Sequence, residues 1–294
     1  MLTPEEIRRY FPIVGLEIYP NSCARVLRYG GGNNDQMAIY LAKEQQKPFI
    51  DNEPNKRRIK EMSKKSMASL VFVTQSTEIE FTSMLTLTYP VAMRSVLNEK
   101  IIKDNLNAVL AMLRSRFNKD DNKLEYLWFM EFTKNDMPHF HVLLNVPAIT
   151  PSTRWAITET WVKQLMTTAS CMALNFEQQH VLQTKIARVI LHRKSFELIR
   201  DTQGARKYVA KYATKREQKI LPINWEFSGR FWGCSKGVSP EPEGVIPMTE
   251  EQLRGILSRY RSQEFMSRME VVPKLIWNID LQKEAMEIPD EIPF

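Results

Sequence analysis

Two short apolar runs, separated by three polar residues, limit the folds open to this chain more than any other part of its sequence. The runs cover residues 125–133 and 137–145 and are rich in aromatic and branched side chains, whereas Asn135 and Asp136 between them favour a turn. Runs of this composition and length are typical of β-strands. The sequence therefore predicts a β-hairpin within an antiparallel sheet.

The second run carries two of the four histidines of the chain. On a strand, His139 and His141 project from one face while Phe140 points to the other. Two neighbouring imidazoles can hold a divalent metal, and Glu131 on the first run could add a carboxylate. Such a ligand set leaves positions open for water and substrate, which suits a catalytic site. The alternative is histidines that bind no metal and a carboxylate on an exposed strand face.

The segments around the hairpin alternate between strand and helix patterns. A period of two residues predicts strands, and apolar residues three and four apart predict helices. Together they indicate an α+β fold, in which helices pack on a central antiparallel sheet of about five strands. The predicted strands cover 81–89, 125–133, 137–145 and 184–192, and the predicted helices cover 93–117, 155–172, a segment after Gly204, and 249–269.

The sequence predicts one central domain with an extension at each end. Residues 1–80 have no recognisable pattern, so we expect an N-terminal extension of unknown role. The central domain covers 81–235 and contains the hairpin. Residues 236–294 are predicted to form a C-terminal extension that is partly helical and ends in a frayed acidic tail.

Composition narrows the class of partner. A net charge of +7 and a pI of about 9.2 indicate an anionic partner, with nucleic acid the first candidate. Three widely separated cysteines (Cys23, Cys171 and Cys234) form no disulfide framework and indicate a reducing compartment. Neither a membrane-spanning apolar run nor a secretion signal is apparent, so we expect a cytoplasmic protein without a membrane partner.

A second motif lies on the helix predicted after Gly204. Tyr208 and Tyr212 are four residues apart and share one helix face, bordered by Lys211 and Lys215. Cations stabilise a phenolate, and a metal that polarises a phosphoryl group makes a phenol a better nucleophile towards it. Attack on a phosphodiester would give a phosphotyrosine that conserves the bond energy for rejoining. The alternative is a basic amphipathic helix whose tyrosines only pack.

Three stretches, in this order, resemble the HUH endonucleases, which are named for a histidine–hydrophobe–histidine motif. Within that superfamily the chain is similar to the two-tyrosine initiators of rolling-circle replication, of the gene A type found in single-stranded DNA phages and in plasmids. The resemblance covers roughly residues 80–235. It is carried by residues 85–89, 138–144 and 208–215.

The resemblance implies an HUH core with a ferredoxin-like or RRM-like sheet over 81–235. His139 and His141 would bind Mg²⁺ or Mn²⁺, with Glu131 as the third ligand. Tyr208 and Tyr212 would be the nucleophiles for origin-specific nicking, strand transfer and ligation through a 5′-phosphotyrosine. Lys211 and Lys215 would help to hold the scissile phosphate.

The resemblance also implies partners. The substrate would be single-stranded or locally melted origin DNA in a bacterial host cytoplasm. No GxxxxGK[ST] motif is present, so a host or partner helicase would unwind the origin and a DNA polymerase would extend the freed end.

Two other functions fit the sequence. One is a single-stranded DNA-binding protein without nuclease activity, which would stack bases on Trp128, Phe231 and Trp232. The other is an HUH transposase or relaxase. Relaxases usually carry a third histidine, where this chain has Leu143 and Leu144, and single-strand transposases usually have one tyrosine and a shorter chain.

Overall fold

A computed structural model describes residues 13–21, 23–29, 59–118, 123–146, 149–191, 195–199, 201–213, 215–222, 225, 229–260 and 275–277. The chain forms two compact units, one of residues 58–240 and one of residues 1–57 with 241–294. The predicted division at residues 80 and 235 stays a prediction. The predicted acidic tail lies outside the described residues.

Each unit contains an antiparallel sheet. In chain order the elements are β1 (Ile13–Tyr19), β2 (Cys23–Tyr29), α1 (Lys64–Ser76), β3 (Ser83–Thr88), α2 (Glu99–Phe117), β4 (Tyr126–Phe132), β5 (Pro138–Leu144), α3 (Pro151–Ala169), α4 (Phe176–Ile190), β6 (Phe196–Leu198), α5 (Thr202–Ala213), β7 (Trp232–Cys234), β8 (Gly244–Met248), α6 (Glu250–Tyr260) and β9 (Leu275–Trp277). Short 3-10 helices cover Val91–Val96, Arg216–Lys219 and Lys236–Val238.

The larger unit has a five-stranded sheet in the order β6-β3-β5-β4-β7. The histidine strand β5 is central, and β4 and β5 form the predicted hairpin. Their register places Glu131 directly opposite His139. Asp136 in the turn adopts the left-handed conformation, with φ 58°, which Asp tolerates better than most residues. The predicted α+β fold with a five-stranded antiparallel sheet is therefore confirmed.

Helices cover both faces of this sheet. Phe140 and Leu87 are completely buried on one face, which we call the core face; it packs against α2 and α3. Trp161 of α3 lies edge-on to Tyr89, with ring centroids 4.9 Å apart, and its indole N–H donates to the backbone carbonyl of Thr88 at 3.4 Å. The opposite face, the site face, packs against α1 and α5. It carries Thr86, Thr88, Phe129, Glu131, His139 and His141.

The strand predicted over 184–192 is wrong, because this segment lies in helix α4 as far as Ile190. Its buried residues Leu182, Ile186 and Ile190 are four apart, a spacing that fits both a helix and an alternating strand. The helix begins earlier, at a capping box in which Asn175 and Gln178 satisfy each other's backbone N–H. That start signal lies outside the segment on which the strand was predicted.

The ends of the sheet also differ from prediction. The outer strands are β6 and β7, each only three residues long. The glycine-rich segment 229–233 was predicted to be a loop, but β7 begins within it because Trp232 and Gly233 pair with β4. The helix predicted over 93–117 is divided: a 3-10 helix ends at Val96, and α2 starts after the N-cap residue Asn98.

The smaller unit has a four-stranded sheet in the order β8-β1-β2-β9. Helix α6 packs on it and closes a small core that includes Leu16, Ile18 and Ile256. Glu17 is buried, forms an ion pair with Arg25 and accepts a hydrogen bond from the Tyr19 hydroxyl at 2.7 Å. The helix predicted over 249–269 is described only for Glu250–Tyr260. Among the described helices, none combines the length and apolarity needed to cross a bilayer.

Candidate metal and tyrosine site

The structure brings the three predicted metal ligands together on the site face. One donor atom from each of Glu131, His139 and His141 lies within 4.8 Å of the other two. The two imidazole centroids are 4.7 Å apart, and His141 Nε2 lies 3.3 Å from Oε1 of Glu131. The hairpin register produces this cluster, because residues opposite each other on antiparallel strands project from the same face.

Two threonines of β3 orient the histidines. Thr88 Oγ1 lies 2.8 Å from Nδ1 of His139, and Thr86 Oγ1 lies 3.3 Å from Nδ1 of His141. With both Nδ1 atoms engaged, the Nε2 atom of each ring is left to face a cation. The sequence indicated a polar face on this strand but no role for it. The pairing of β3 with β5 supplies that role.

Lys219 completes the cluster, and the sequence analysis missed it. Its side chain is 1% exposed, and its ammonium group donates to Oε2 of Glu131 at 3.2 Å. The backbone holds Lys219 in place, since its carbonyl accepts from the Met62 N–H at 3.1 Å. A lysine in the segment Arg216–Lys219 has no local pattern that distinguishes it from a solvated one. Only the fold could reveal its partner.

Electrostatics keep the cluster in the protonation states that bind a metal. Burial lowers the pKa of His139 to about 4, so this ring is neutral at pH 7. Burial alone would raise the pKa of Glu131, but the hydrogen bond with His141 and the charge of Lys219 bring it below its usual value. Burial also lowers the pKa of Lys219, and Glu131 opposes that shift. A neutral imidazole and an ionised carboxylate are the forms that ligate divalent cations.

Helix α5 places both predicted tyrosines over this cluster. The ring centroids of Tyr208 and Tyr212 are 4.3 Å apart, and they lie 5.8 and 5.4 Å from the centroid of His141. The Tyr208 hydroxyl is 3.5 Å from Nδ1 of His141. Burial, followed by the neighbouring Tyr212, holds the pKa of Tyr208 well above its usual value. Tyr208 is therefore a protonated phenol at neutral pH.

The two lysines predicted beside the tyrosines occupy different positions. Lys215 lies just after α5, with its ammonium 4.0 Å from the centroid of the Tyr212 ring. Lys211 is exposed on α5. Neither belongs to the described lining of the cavity in front of the metal cluster.

That cavity has a volume of about 610 Å³ and contains the reactive groups of the site face. Its floor is the metal cluster with Thr86 and Thr88, and both tyrosines border it. The far side is formed by α4 and β6 and the turn between them. The described residues from that side are Arg188, Val189, Ser195 and Glu197.

Fold and site together define the class of this protein. A central strand with a histidine–hydrophobe–histidine motif, a carboxylate on the neighbouring strand and two helix tyrosines over them characterise an HUH-type protein. Residues 82–217 match the model of a family of replication-associated proteins, described by ORF2 and the gene II protein. This part of the chain belongs to that family, and the resemblance predicted from the three motifs is confirmed.

Two other comparisons add less. The N-terminal origin-recognition/nickase domain of non-structural protein 1 from human bocavirus is similar at 12% sequence identity and a TM-score of 0.31. The match covers 64% of this chain and 96% of that domain. Such a TM-score is too low to establish a shared fold, so the strand order alone assigns the fold. No curated protein matches the chain significantly.

Proposed function

We propose that the protein initiates rolling-circle DNA replication as a metal-dependent nickase. In this proposal it cuts one strand of a single-stranded or locally melted origin and remains joined to the 5′ phosphate through a tyrosine. The observation that carries the proposal is the position of two tyrosine rings within 6 Å, centroid to centroid, of a histidine in a Glu-His-His cluster. A phosphorus atom between them would be in reach of both a nucleophile and a cation.

Glu131, His139 and His141 fit a divalent cation, because they offer one carboxylate oxygen and two orientable imidazole nitrogens within 4.8 Å of one another. Mg²⁺ or Mn²⁺ is the cation we propose. When bound, it would polarise the phosphoryl oxygen and stabilise the charge that builds up there. Both nucleophiles are held on one helix, which reduces the entropy cost of bringing them to the phosphate.

The proposed reaction is a transesterification. A tyrosine loses its proton to solvent, its oxygen bonds to phosphorus, and the bond from phosphorus to the 3′ oxygen breaks. That oxygen takes up a proton and becomes the 3′ hydroxyl that primes synthesis by a DNA polymerase. The second tyrosine can cut the regenerated origin in the same way, and attack by the freed 3′ hydroxyl on the first phosphotyrosine rejoins the strand.

The positions of Lys211 and Lys215 give them separate places in this proposal. Lys215 lies over the Tyr212 ring, where its charge favours the phenolate. Lys211 is exposed one helix turn after Lys207 and would contact DNA outside the cavity. A host or partner helicase remains part of the proposal.

A nicking assay tests it. The full chain is incubated with single-stranded origin DNA and Mn²⁺, and covalent protein–DNA adducts are separated and identified by mass spectrometry. We expect an adduct on Tyr208 or Tyr212 that requires the metal and is lost in the variant with both tyrosines changed to phenylalanine. Retention of DNA without an adduct under either metal would instead support the binding protein without nuclease activity.

The arrangement of the predicted stacking residues does not favour that binding protein. Phe231 is 3% exposed. Trp128 lies on the core face beside Phe140, whereas Trp232 lies on the site face and donates to Ser66 at 3.0 Å. The three rings therefore do not form one platform on which successive bases could stack.

A further inference from the structure

The catalytic cavity contains one unengaged cation among its described lining residues. Lys219 lies behind the cavity and is committed to Glu131, and Lys215 lies over Tyr212. Arg188 is the one Lys or Arg in the described lining, and its side chain is exposed. Within the described part of the chain, it forms no ion pair with a carboxylate. A phosphodiester in this cavity would therefore meet its guanidinium first.

Arg188 belongs to a continuous surface on α4. Lys185 lies three residues earlier and Val181 four residues before that, so the three share one helix face. Both are exposed. Val181 and Lys185 line a second cavity of about 410 Å³, whose other described residues include Ala92 and Gln178. One helix face thus leads from the catalytic cavity to a second depression.

This surface has the chemistry of a track for single-stranded nucleic acid. Two cations one helix turn apart can pair with successive phosphates, and exposed apolar Val181 can contact a base or sugar. The acidic residues are Glu177 in the second cavity and Glu197 opposite Arg188. Both lie off the face formed by Val181, Lys185 and Arg188. The positive stripe along that face is thus continuous.

We propose that this α4 face, formed by Val181, Lys185 and Arg188, binds the DNA strand that flanks the scissile phosphate. Arg188 contacts a phosphate inside the cavity, and Lys185 contacts one outside it. The proposal rests on the proposed function, since it assigns the path of that substrate. It gives the role of phosphate contact in the cavity to Arg188, a residue of a segment predicted to be a strand.

The test measures DNA binding apart from DNA cleavage. Arg188→Gln and Lys185→Gln are introduced into the full chain with Tyr208 and Tyr212 already changed to phenylalanine, so no adduct can form. Binding of a fluorescein-labelled oligothymidylate is followed by fluorescence anisotropy at several salt concentrations. The matched control is Lys163→Gln, an exposed lysine of α3, the helix that covers the core face.

We expect Arg188→Gln to weaken binding about tenfold, as the loss of one charge-assisted contact implies. The slope of log affinity against log salt should fall by about 0.7 for each of Arg188 and Lys185, the value for one phosphate contact on a single strand. Arg188→Lys should restore most of the slope. Lys163→Gln should leave affinity and slope unchanged.

A structural role for Arg188 at the end of α4 would give a different result. A cation in the last turn stabilises the helix dipole, so its loss would lower the melting temperature without changing the salt slope. That outcome, or equal effects of Lys163→Gln and Arg188→Gln, would overturn the proposed track. Adduct formation by the protein with both tyrosines intact is scored separately: nicking with an unchanged slope in Arg188→Gln refutes the track alone, and a lost slope without nicking refutes the nickase alone.

Discussion

Lys219 and Glu131 form an ion pair in the interior of the larger unit, with the lysine Nζ 3.2 Å from Oε2 and 1% of the lysine side chain exposed. The other oxygen of the same carboxylate lies 3.3 Å from Nε2 of His141. Because Oε2 is committed to Lys219, the carboxylate can offer one oxygen to a cation. The site then supplies three protein ligands and leaves the remaining positions for water and a phosphate oxygen.

Replacing Lys219 by methionine should destabilise the protein strongly. The substitution keeps the volume but leaves a buried carboxylate without its cation, which costs about 3 kcal/mol in comparable buried pairs. The free energy of unfolding is measured by urea titration at neutral pH. The control is Lys100→Met, which removes an exposed i,i+4 ion pair with Asp104 and should change stability little. Equal unfolding midpoints for the two variants would show that the ion pair contributes nothing.

Thr88 should control metal affinity without being a ligand. Its hydroxyl lies 2.8 Å from Nδ1 of His139, so Thr88→Val removes the partner that directs Nε2 towards the cation. Loss of such an outer partner typically weakens metal binding by about tenfold or more. Isothermal titration with Mn²⁺ measures this, with exposed Thr167→Val of α3 as the matched control. The assigned role is incorrect if Thr88→Val and Thr167→Val bind Mn²⁺ with the same affinity.

The ligand cluster could be predicted because it depends on local rules. His139 and His141 share a face by strand geometry, and a short turn fixes Glu131 opposite His139. Lys219 lies 88 residues from Glu131 in the chain, and only tertiary packing brings the two together. Helix α4 was missed for another reason: positions 182, 186 and 190 satisfy a period of two as well as a helical period. Arg188 was therefore not considered as a site residue.

The two tyrosines should not be equivalent in the first cut. Burial raises the pKa of Tyr208, and the charge of Glu131 adds to that effect, whereas the Lys215 ammonium lies 4.0 Å from the Tyr212 ring. Phenolate formation therefore costs less at Tyr212. We expect Tyr208→Phe to retain most of the adduct formed in a single turnover and Tyr212→Phe to lose most of it. Initial rates of adduct formation with Mn²⁺ test this, and the reverse order would assign the first attack to Tyr208.

A largely buried lysine on the core face should make stability depend on pH. Lys103 of α2 places its ammonium 4.4 Å from the Trp128 ring centroid and donates to the backbone carbonyl of Arg230 at 2.6 Å. Burial lowers its pKa from 10.5 to about 7. Between those two values the unfolded chain binds a proton that the folded protein lacks, so the contribution of Lys103 to stability rises with pH.

Comparison with Lys103→Met isolates this effect, because the variant has no group that titrates at that position. Relative to the variant, the free energy of unfolding of the unmodified protein should increase by about 1 kcal/mol between about pH 6 and about pH 8. Urea titrations at a series of pH values provide the curves. Lys100→Met, on the exposed face of the same helix, should run parallel to the unmodified protein over this range. If the Lys103→Met curve also runs parallel, Lys103 is charged throughout, and the carbonyl of Arg230 and the Trp128 ring offset its burial.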